Sequence, residues 1–147
     1  MGSPTVCPER PCPTSCPSEF QRGLQRVRVD GKLLTLGDAK WYICGMTYGP
    51  FAPNTAGEPL PSRAQARRDL EQIRALGANA IRLYHVPPMW FLDEVGSIGL
   101  RALVDLPWDK HRCFFEDWRA VREARQRVRE AAGQLGSHPA VFGLSVG

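Results

Sequence analysis

Four apolar runs of strand length, separated by helical patterns, constrain the fold of this 147-residue chain more than any other feature. They cover residues 40–48, 79–84, 100–106 and 140–146. The runs are nearly continuous rather than alternating, as expected for parallel strands in a sheet covered by helices. They predict an α/β fold, either an open doubly wound sheet or part of an eightfold (β/α)8 TIM barrel. Neither G-x-G-x-x-G nor G-x-x-x-x-G-K-[ST] occurs, so we favour a partial barrel of about the first four strands.

Three helices are predicted between these strands. The first begins at a capping box formed by Ser62 and Gln65 and ends at Gly77, which supplies a left-handed cap. Its predicted inward face contains Ala66, Leu70, Ile73 and Leu76. A short helix begins at PPMWFLDEV, because proline is tolerated in a first turn. A long helix covers about 117–135, and its predicted inward stripe contains Trp118, Val121, Val128, Ala131 and Leu135.

Residues 1–22 form a Cys/Pro-rich leader that we predict to be disordered, because such a composition cannot build a packed core. The spacing of Cys7, Cys12 and Cys16 does not match the usual zinc patterns, and no histidine lies near them. We therefore predict no metal site, and no cofactor for the chain. The organised domain covers 23–147 and opens with a short β-hairpin, in which Asp30-Gly31 is the predicted turn.

The net charge of +4 is modest, and the long helix carries much of it on Arg119, Arg122, Arg125, Arg127 and Arg129. A basic helix can contact nucleic acid or an anionic surface. We interpret it instead as a solvated outer face, because acidic residues are interspersed and no recognised nucleic-acid module accompanies it. No apolar run approaches the roughly 20 residues of a membrane span. No secretory signal is found either, so we predict a cytoplasmic chain without membrane contact or nucleic-acid partner.

Polar and aromatic side chains collect where the predicted strands end. Tyr48 follows the first strand, Arg82 and His85 end the second, and Asp105 and Trp108 stand at the end of the third. The active site of a barrel is built at the carboxyl ends of its strands, so this clustering predicts a site. Each residue also has a structural alternative: Arg82 can pair with a core carboxylate, and His85 can cap the next helix. Trp108 can simply pack beside the proline that precedes it.

The segment NAIRLYHVPP resembles the second-strand signature of the clan A glycoside hydrolases, especially family 2, the β-galactosidase and β-glucuronidase group. That signature is approximately N-A-[VI]-R-x-x-H-x-P, and the chain matches it at Asn79, Ala80, Ile81, Arg82, His85 and Pro87. The segment SHPAVFGLSVG is similar to the fourth strand of that family, in which His-Pro precedes the apolar run. The resemblance covers about residues 27–147.

The resemblance implies a retaining mechanism on a carbohydrate substrate. In that mechanism a glutamate after strand four acts as acid and base, and a glutamate after strand seven is the nucleophile. The resemblance further implies that Arg82 hydrogen-bonds the nucleophile and that His85 lines the sugar site. Tyr48 and Trp108 would stack on the apolar face of a sugar ring. Arg82, His85, Tyr48 and Trp108 are therefore the predicted substrate-binding residues.

The two catalytic glutamates have no counterpart in the sequence. In the family, Asn-Glu follows the fourth strand, a position that falls just after Gly147, and neither Glu94 nor Glu116 suits a catalytic role. We therefore expect the N-terminal half of a barrel, a truncated gene product that lacks its C-terminal half and is inactive alone.

Two other functions stay open at this point. The chain could be a small α/β domain that binds a carbohydrate or another ligand without catalysis. Alternatively, it could be an interaction protein that uses the Cys/Pro leader and the arginine-rich helix. Within the enzyme interpretation, a transglycosylating role in polysaccharide remodelling is also open, because a sugar can capture the same covalent intermediate instead of water.

Overall fold

The structure, a computed structural model, describes residues 24–107 and 117–146. The predicted leader with Cys7, Cys12 and Cys16 lies outside the described residues, as does Trp108, and both predictions stand untested. The strands are β1 (Val27–Asp30), β2 (Leu33–Leu36), β3 (Ala39–Lys40), β4 (Gly45–Thr47), β5 (Ala80–Leu83), β6 (Arg101–Leu106) and β7 (Val141–Val146). The helices are α1 (Arg63–Ala75), α2 (Met89–Ser97) and α3 (Trp118–Leu135).

The strands form two sheets, and the larger one confirms the predicted parallel arrangement. β1, β2 and β3 make a small antiparallel sheet, whereas β4, β5, β6 and β7 make a parallel sheet in that order. The helices α1, α2 and α3 connect its successive strands. Because right-handed crossovers between successive parallel strands keep the same hand, this order places the three helices on one face of the sheet.

The predicted first strand, residues 40–48, is wrong as a single element. It divides into β3 in the antiparallel sheet and β4 in the parallel sheet, with residues 41–44 between them. The side chain of Asn79 holds this break: its Oδ1 accepts the Cys44 N–H at 2.8 Å, and its Nδ2 donates to the Tyr42 carbonyl at 2.7 Å. A side chain 35 residues away therefore satisfies backbone groups that a continuous strand would have paired with a neighbour.

The hairpin is confirmed, although its turn lies one residue later than predicted. Asp30 and Leu33 are the last paired residues, so Gly31 and Lys32 form the two-residue turn. Gly31 has a φ of +58°, which is the conformation that a primed hairpin turn requires at its first central position.

Helix α1 begins and ends at the predicted residues. The Ser62 hydroxyl accepts the Gln65 N–H at 3.4 Å, but the Gln65 side chain donates to Asp69 at 2.6 Å instead of reaching back, so only half of the capping box forms. Gly77 ends the helix with a φ of +90°. The inward face is confirmed at Ala66, Leu70 and Ile73. It is wrong at Leu76, which is 76% exposed because it is the C-cap residue, where the helical periodicity stops.

Helix α3 packs through smaller residues than predicted. Ala120, Ala124, Ala131 and Leu135 are buried, while Val121 and Val128 are only half-buried. Trp118, predicted to point inwards, is 62% exposed. The buried face of the helix follows its alanines, and Trp118 lies on the other side of the helix axis, so the indole points to solvent. Helix α2 covers the predicted segment.

The core lies between the parallel sheet and the three helices. Fully buried side chains on the sheet face that meets the helices include Ile81, Leu83, Ala102 and Val104, and Phe91 and Leu92 of α2 cover them. A large apolar side chain contributes about 1.5–3 kcal/mol on full burial, so this layer dominates stability. Within the described residues, no helix is both long and apolar enough to cross a membrane.

The opposite face of the parallel sheet, here called the open face, carries Thr47, Arg82, Leu103, Asp105 and Ser145. Strand register defines it, because Thr47 pairs with Arg82, Arg82 with Leu103, and Asp105 with Ser145. Paired residues point to the same side of a sheet, and every second residue of a strand does so too.

The antiparallel sheet is tied to the amino ends of the parallel strands. Arg101, at the start of β6, donates to the Gln25 carbonyl at 2.8 Å, and Arg26 donates to the Gly136 carbonyl after α3. Trp41, after β3, makes an edge-to-face contact with Phe142 at a centroid distance of 5.1 Å. The carboxyl ends of the strands, where the polar residues cluster, lie at the other end of the sheet.

Candidate functional site

The centre of the open face is an ion pair between neighbouring strands. Arg82 lies on β5 opposite Leu103 of β6, so Asp105, two residues further along β6, points to the same side. Nε of Arg82 donates to Oδ1 and Oδ2 of Asp105 at 3.1 and 3.0 Å, and Nη2 donates to Oδ2 at 2.6 Å. One of the two alternatives for Arg82, pairing with a core carboxylate, is thereby confirmed.

The two partners of this pair differ in their exposure. The Asp105 side chain is 11% exposed, whereas that of Arg82 is 45% exposed. Its hydrogen bonds to the Asp105 carboxylate raise the pKa of Arg82, so the guanidinium stays charged. Its central carbon also lies 5.1 Å from the Tyr84 ring centroid, a cation–π distance. Among the described residues, Nη1 has no hydrogen-bond partner, so one edge of the guanidinium is available at the mouth of the open face.

His85 lies two residues after the end of β5, and its surroundings keep it neutral. Both ring nitrogens are buried and have no hydrogen-bond partner within the described part of the chain. Burial lowers the pKa of the imidazole, because a charged ring would lose its hydration. The alternative role as a helix cap is wrong, since α2 starts after Pro88 and receives no side-chain cap. His85 is thus a neutral side chain with unused donor and acceptor capacity, three residues from Arg82.

Tyr48 lies on the opposite face of the sheet from Arg82. Its hydroxyl donates to Asp69 of α1 at 2.8 Å, and its ring is stacked on Phe91 at a centroid distance of 5.6 Å. Phe51 covers it from another side at 4.8 Å, and Tyr48 is only 5% exposed. Burial and the nearby Asp69 carboxylate raise the pKa of its phenol. The structure places Tyr48 in the core, and we leave it out of the proposed site.

A shallow cavity of about 330 Å³ lies on the open face, next to Arg82. Its wall includes Ile43, Thr47, Ala80, Arg82, Leu103 and Phe142. The sequence interpretation missed Thr47 and Ser145 as members of this face, and it noted Asp105 without pairing it to Arg82. The signal that finds them is strand register, which places residues 47, 82, 105 and 145 on one side.

Glu94 is held in the helix layer, away from the open face. Its carboxylate is 8% exposed and accepts from Nε of Arg63 at 2.8 Å and from Nη1 of Arg67 at 3.2 Å. These contacts join α1 to α2 and leave the carboxylate no route to a substrate at the open face. In the regions 24–107 and 117–146, no group of three or more His, Cys, Asp or Glu side chains is arranged to hold a metal ion.

Comparison with known proteins identifies a sequence relative and two solved structures that the chain resembles. The chain is 32% identical over 89 residues to a 1,3-β-glucanosyltransferase, gel1, of Aspergillus fumigatus. It resembles a GH2 β-galacturonidase from Eisenbergiella tayi with a TM-score of 0.61 and 22% identity, and the match covers 83% of this chain. It also resembles Gas2p of Saccharomyces cerevisiae in complex with laminaripentaose, with a TM-score of 0.63, 16% identity and 86% coverage. No family model matches the chain.

The resemblance to glycoside hydrolases is confirmed. The two structures show the fold: the α/β arrangement of the chain resembles that of TIM-barrel glycoside hydrolases, and the curated match adds a carbohydrate-active relative in sequence. The match covers 58% of this chain but 20% of the A. fumigatus protein. It covers 22% and 31% of the two structures, so the chain spans about a fifth to a third of the proteins it resembles.

Proposed function

We propose that residues 23–147 form the first half of a (β/α)8 barrel and supply part of the sugar-binding site of a retaining glycoside hydrolase or transglycosylase. Four parallel strands in unbroken sequential order, with a helix between each pair, fit half of such a barrel. A doubly wound sheet would instead reverse its strand order at a switch point. In the complete barrel the open face would become the interior, and the carboxyl ends of the strands would surround the substrate.

The observation that carries the proposal is the state of Arg82. A half-exposed guanidinium at the carboxyl end of a barrel strand is fixed by a buried carboxylate on one edge and left available on the other. Such a cation lowers the pKa of a neighbouring carboxylate by about one to three units. Arg82 is therefore suited to keep an incoming nucleophile ionised, as a retaining mechanism requires.

His85 would contribute hydrogen bonds rather than charge. A neutral imidazole has one donor and one acceptor nitrogen, which can bind a sugar hydroxyl in either direction. A buried polar atom without a partner costs about 1–3 kcal/mol, so a substrate hydroxyl or another part of the barrel that reaches the ring would stabilise the site. Trp108 stays a proposed sugar-stacking residue.

The catalytic glutamates are proposed to lie in the other half of the barrel. Retaining enzymes place two carboxyl groups about 5–5.5 Å apart across the scissile bond. Among the described residues, the carboxylate on the open face is that of Asp105. Both of its oxygens accept hydrogen bonds from Arg82. We therefore expect the 147-residue chain to bind sugar without turnover. Whether water or a second sugar resolves the covalent intermediate would depend on the other half of the barrel.

The test is a titration of the ¹⁵N-labelled chain with laminaripentaose and, separately, with galacturonate, followed by NMR. We expect shifts at amides of the open face, including Thr47, Arg82 and Ser145. Arg82→Gln should abolish these shifts, while the charge-matched control Arg28→Gln on the antiparallel sheet should keep them. The absence of open-face shifts with both sugars would overturn the proposal, as would equal shifts in Arg82→Gln. Release of reducing sugar by the chain alone would overturn the proposed inactivity.

A further inference from the structure

We propose a second carbohydrate-binding surface on the outside of α3, where a line of one tryptophan and three arginines would bind an acidic polysaccharide such as a polyuronate. This surface, here called the α3 stripe, consists of Trp118, Arg122, Arg125 and Arg129. It is separate from the open face, because α3 packs on the helix side of the parallel sheet through its alanines.

The spacing of these residues places them on one line. They occupy positions i, i+4, i+7 and i+11, which lie within about 60° of each other around a helix of 3.6 residues per turn. The line runs for about 16 Å along the axis at 1.5 Å per residue. All four residues are exposed, whereas the buried residues Ala120, Ala124 and Ala131 lie on the far side of the helix. The stripe is therefore presented to solvent over three turns.

The stripe lies on the helix that carries most of the net positive charge of this molecule. Helix α3 carries five arginines and two glutamates, a net charge of +3, out of +4 for the whole chain. In the described part of the chain, neither Arg125 nor Arg129 has an ion-pair or hydrogen-bond partner. Elsewhere Arg63, Arg67 and Arg82 are each paired with a carboxylate. Among the described residues, no carboxylate of the protein is thus bound to the guanidinium groups of Arg125 and Arg129.

The indole of Trp118 contacts two arginine side chains at the start of α3. The guanidinium carbons of Arg122 and Arg119 lie 4.6 and 5.6 Å from its ring centroid. The N-terminus of the helix is capped by the Asp117 carboxylate, which accepts the backbone N–H groups of Arg119 and Ala120 at 2.9 and 3.2 Å, so the stripe offers its side chains and not the helix end to a ligand. The indole contact holds the Arg122 guanidinium in place for an incoming carboxylate.

The chemistry of the partner follows from these features. A guanidinium fork matches a carboxylate in bidentate geometry, and successive arginines stand three or four residues apart, a rise of about 4.5–6 Å. This suits a polymer that carries one carboxylate on each sugar unit. The choice of a polysaccharide over a nucleic acid rests on the proposed function, since both are polyanions.

The experiment measures binding of the 147-residue chain to polygalacturonate by isothermal titration at low and at physiological salt. We expect binding that weakens steeply with salt and that falls at least about tenfold in the triple variant Arg122→Gln/Arg125→Gln/Arg129→Gln. The control Arg28→Gln/Lys32→Gln/Lys40→Gln changes the net charge equally and should bind like the wild type. When the triple variant is also made in an Arg82→Gln background, which lacks open-face binding, it should again lower polygalacturonate binding at least about tenfold, and this separates failure of the stripe from failure of the open-face proposal.

Four outcomes would overturn the inference. These are no binding at low salt, an equal loss in the two triple variants, equal binding of neutral laminarin, and tighter binding of double-stranded DNA of the same charge. Circular dichroism of both triple variants, each made only at exposed positions, checks that the helices and sheets persist.

Discussion

The buried, unpartnered imidazole of His85 makes stability depend on acid in a predictable direction. Because burial lowers the pKa of His85 in the folded state, the unfolded chain takes up a proton first as the pH falls below about 6.5. The contribution of His85 to the free energy of unfolding is therefore fully present above that pH. It is lost as the pH falls towards the pKa of His85 in the folded state. The substitution His85→Leu removes the titrating group and keeps a similar side-chain volume.

The size of the effect has an upper limit. Each pH unit below about 6.5 removes up to about 1.4 kcal/mol, so the titration of His85 lowers the stability of the wild type by at most about 2 kcal/mol between about pH 8 and about pH 5. His85 is half-buried rather than fully enclosed, so we expect about half of that limit. Near pH 8 the variant should be as stable as the wild type or slightly more stable. Removing two buried nitrogens without partners costs nothing in lost hydrogen bonds.

The assay is urea unfolding followed by tryptophan fluorescence across this pH range, with the variant compared to the wild type at each pH. The expected result is a gain for His85→Leu of about 1 kcal/mol at acidic pH relative to its value at alkaline pH. The neighbouring substitution Val86→Leu contains no titrating group and should give a constant difference. A His85→Leu difference that does not change with pH would refute the buried neutral imidazole. A large loss of stability at every pH would show that the nitrogens have partners.

Two further predictions concern the core. In urea unfolding, Leu70→Ala should lower the free energy of unfolding by about 2–5 kcal/mol, whereas Leu76→Ala should lower it by less than about 0.5 kcal/mol. The reason is that only Leu70 is buried, so similar losses for the two variants would contradict the placement of α1. Tyr48→Phe should cost about 1 kcal/mol, since it removes the hydrogen bond to Asp69. Because the pKa of Tyr48 is raised in the folded state, wild-type stability should fall as the pH rises above about 10. Thermal melts of Tyr48→Phe should lack this loss. Melting temperatures that change with pH in the same way in both proteins would contradict the buried phenol.

The elements that could be predicted from the sequence are those with local causes. The cap at Ser62, the left-handed glycine at Gly77 and the apolar strands β5, β6 and β7 each depend on residues within a few positions. Sequential strand order also follows, because a helix between two strands leads to a parallel neighbour. The α/β architecture was therefore accessible without any knowledge of long-range contacts.

The errors occur where a distant residue decides the outcome. The break between β3 and β4 depends on the side chain of Asn79, which lies just before β5 and far away in the sequence. Trp118 faces solvent because α3 packs on the sheet through its alanines, which lie on the other side of the helix, and the packing with the sheet decides which side is buried. Tyr48 was predicted to join Arg82 because both stand at strand ends. Register decides otherwise, because Thr47 pairs with Arg82 and the next residue must point to the other face.

Arg82 shows why a structural role and a functional role need not exclude each other. Its pairing with Asp105 confirms the structural alternative, yet that pairing uses only Nε and Nη2. The remaining Nη1 is held in a fixed direction by the same contacts, so less side-chain entropy is lost when it binds a partner. A lysine could not divide its function in this way, because an ammonium lacks the rigid fork that keeps one edge in place. The ion pair is thus the means by which the open face would present a positioned cation to a carboxylate or a sugar oxygen.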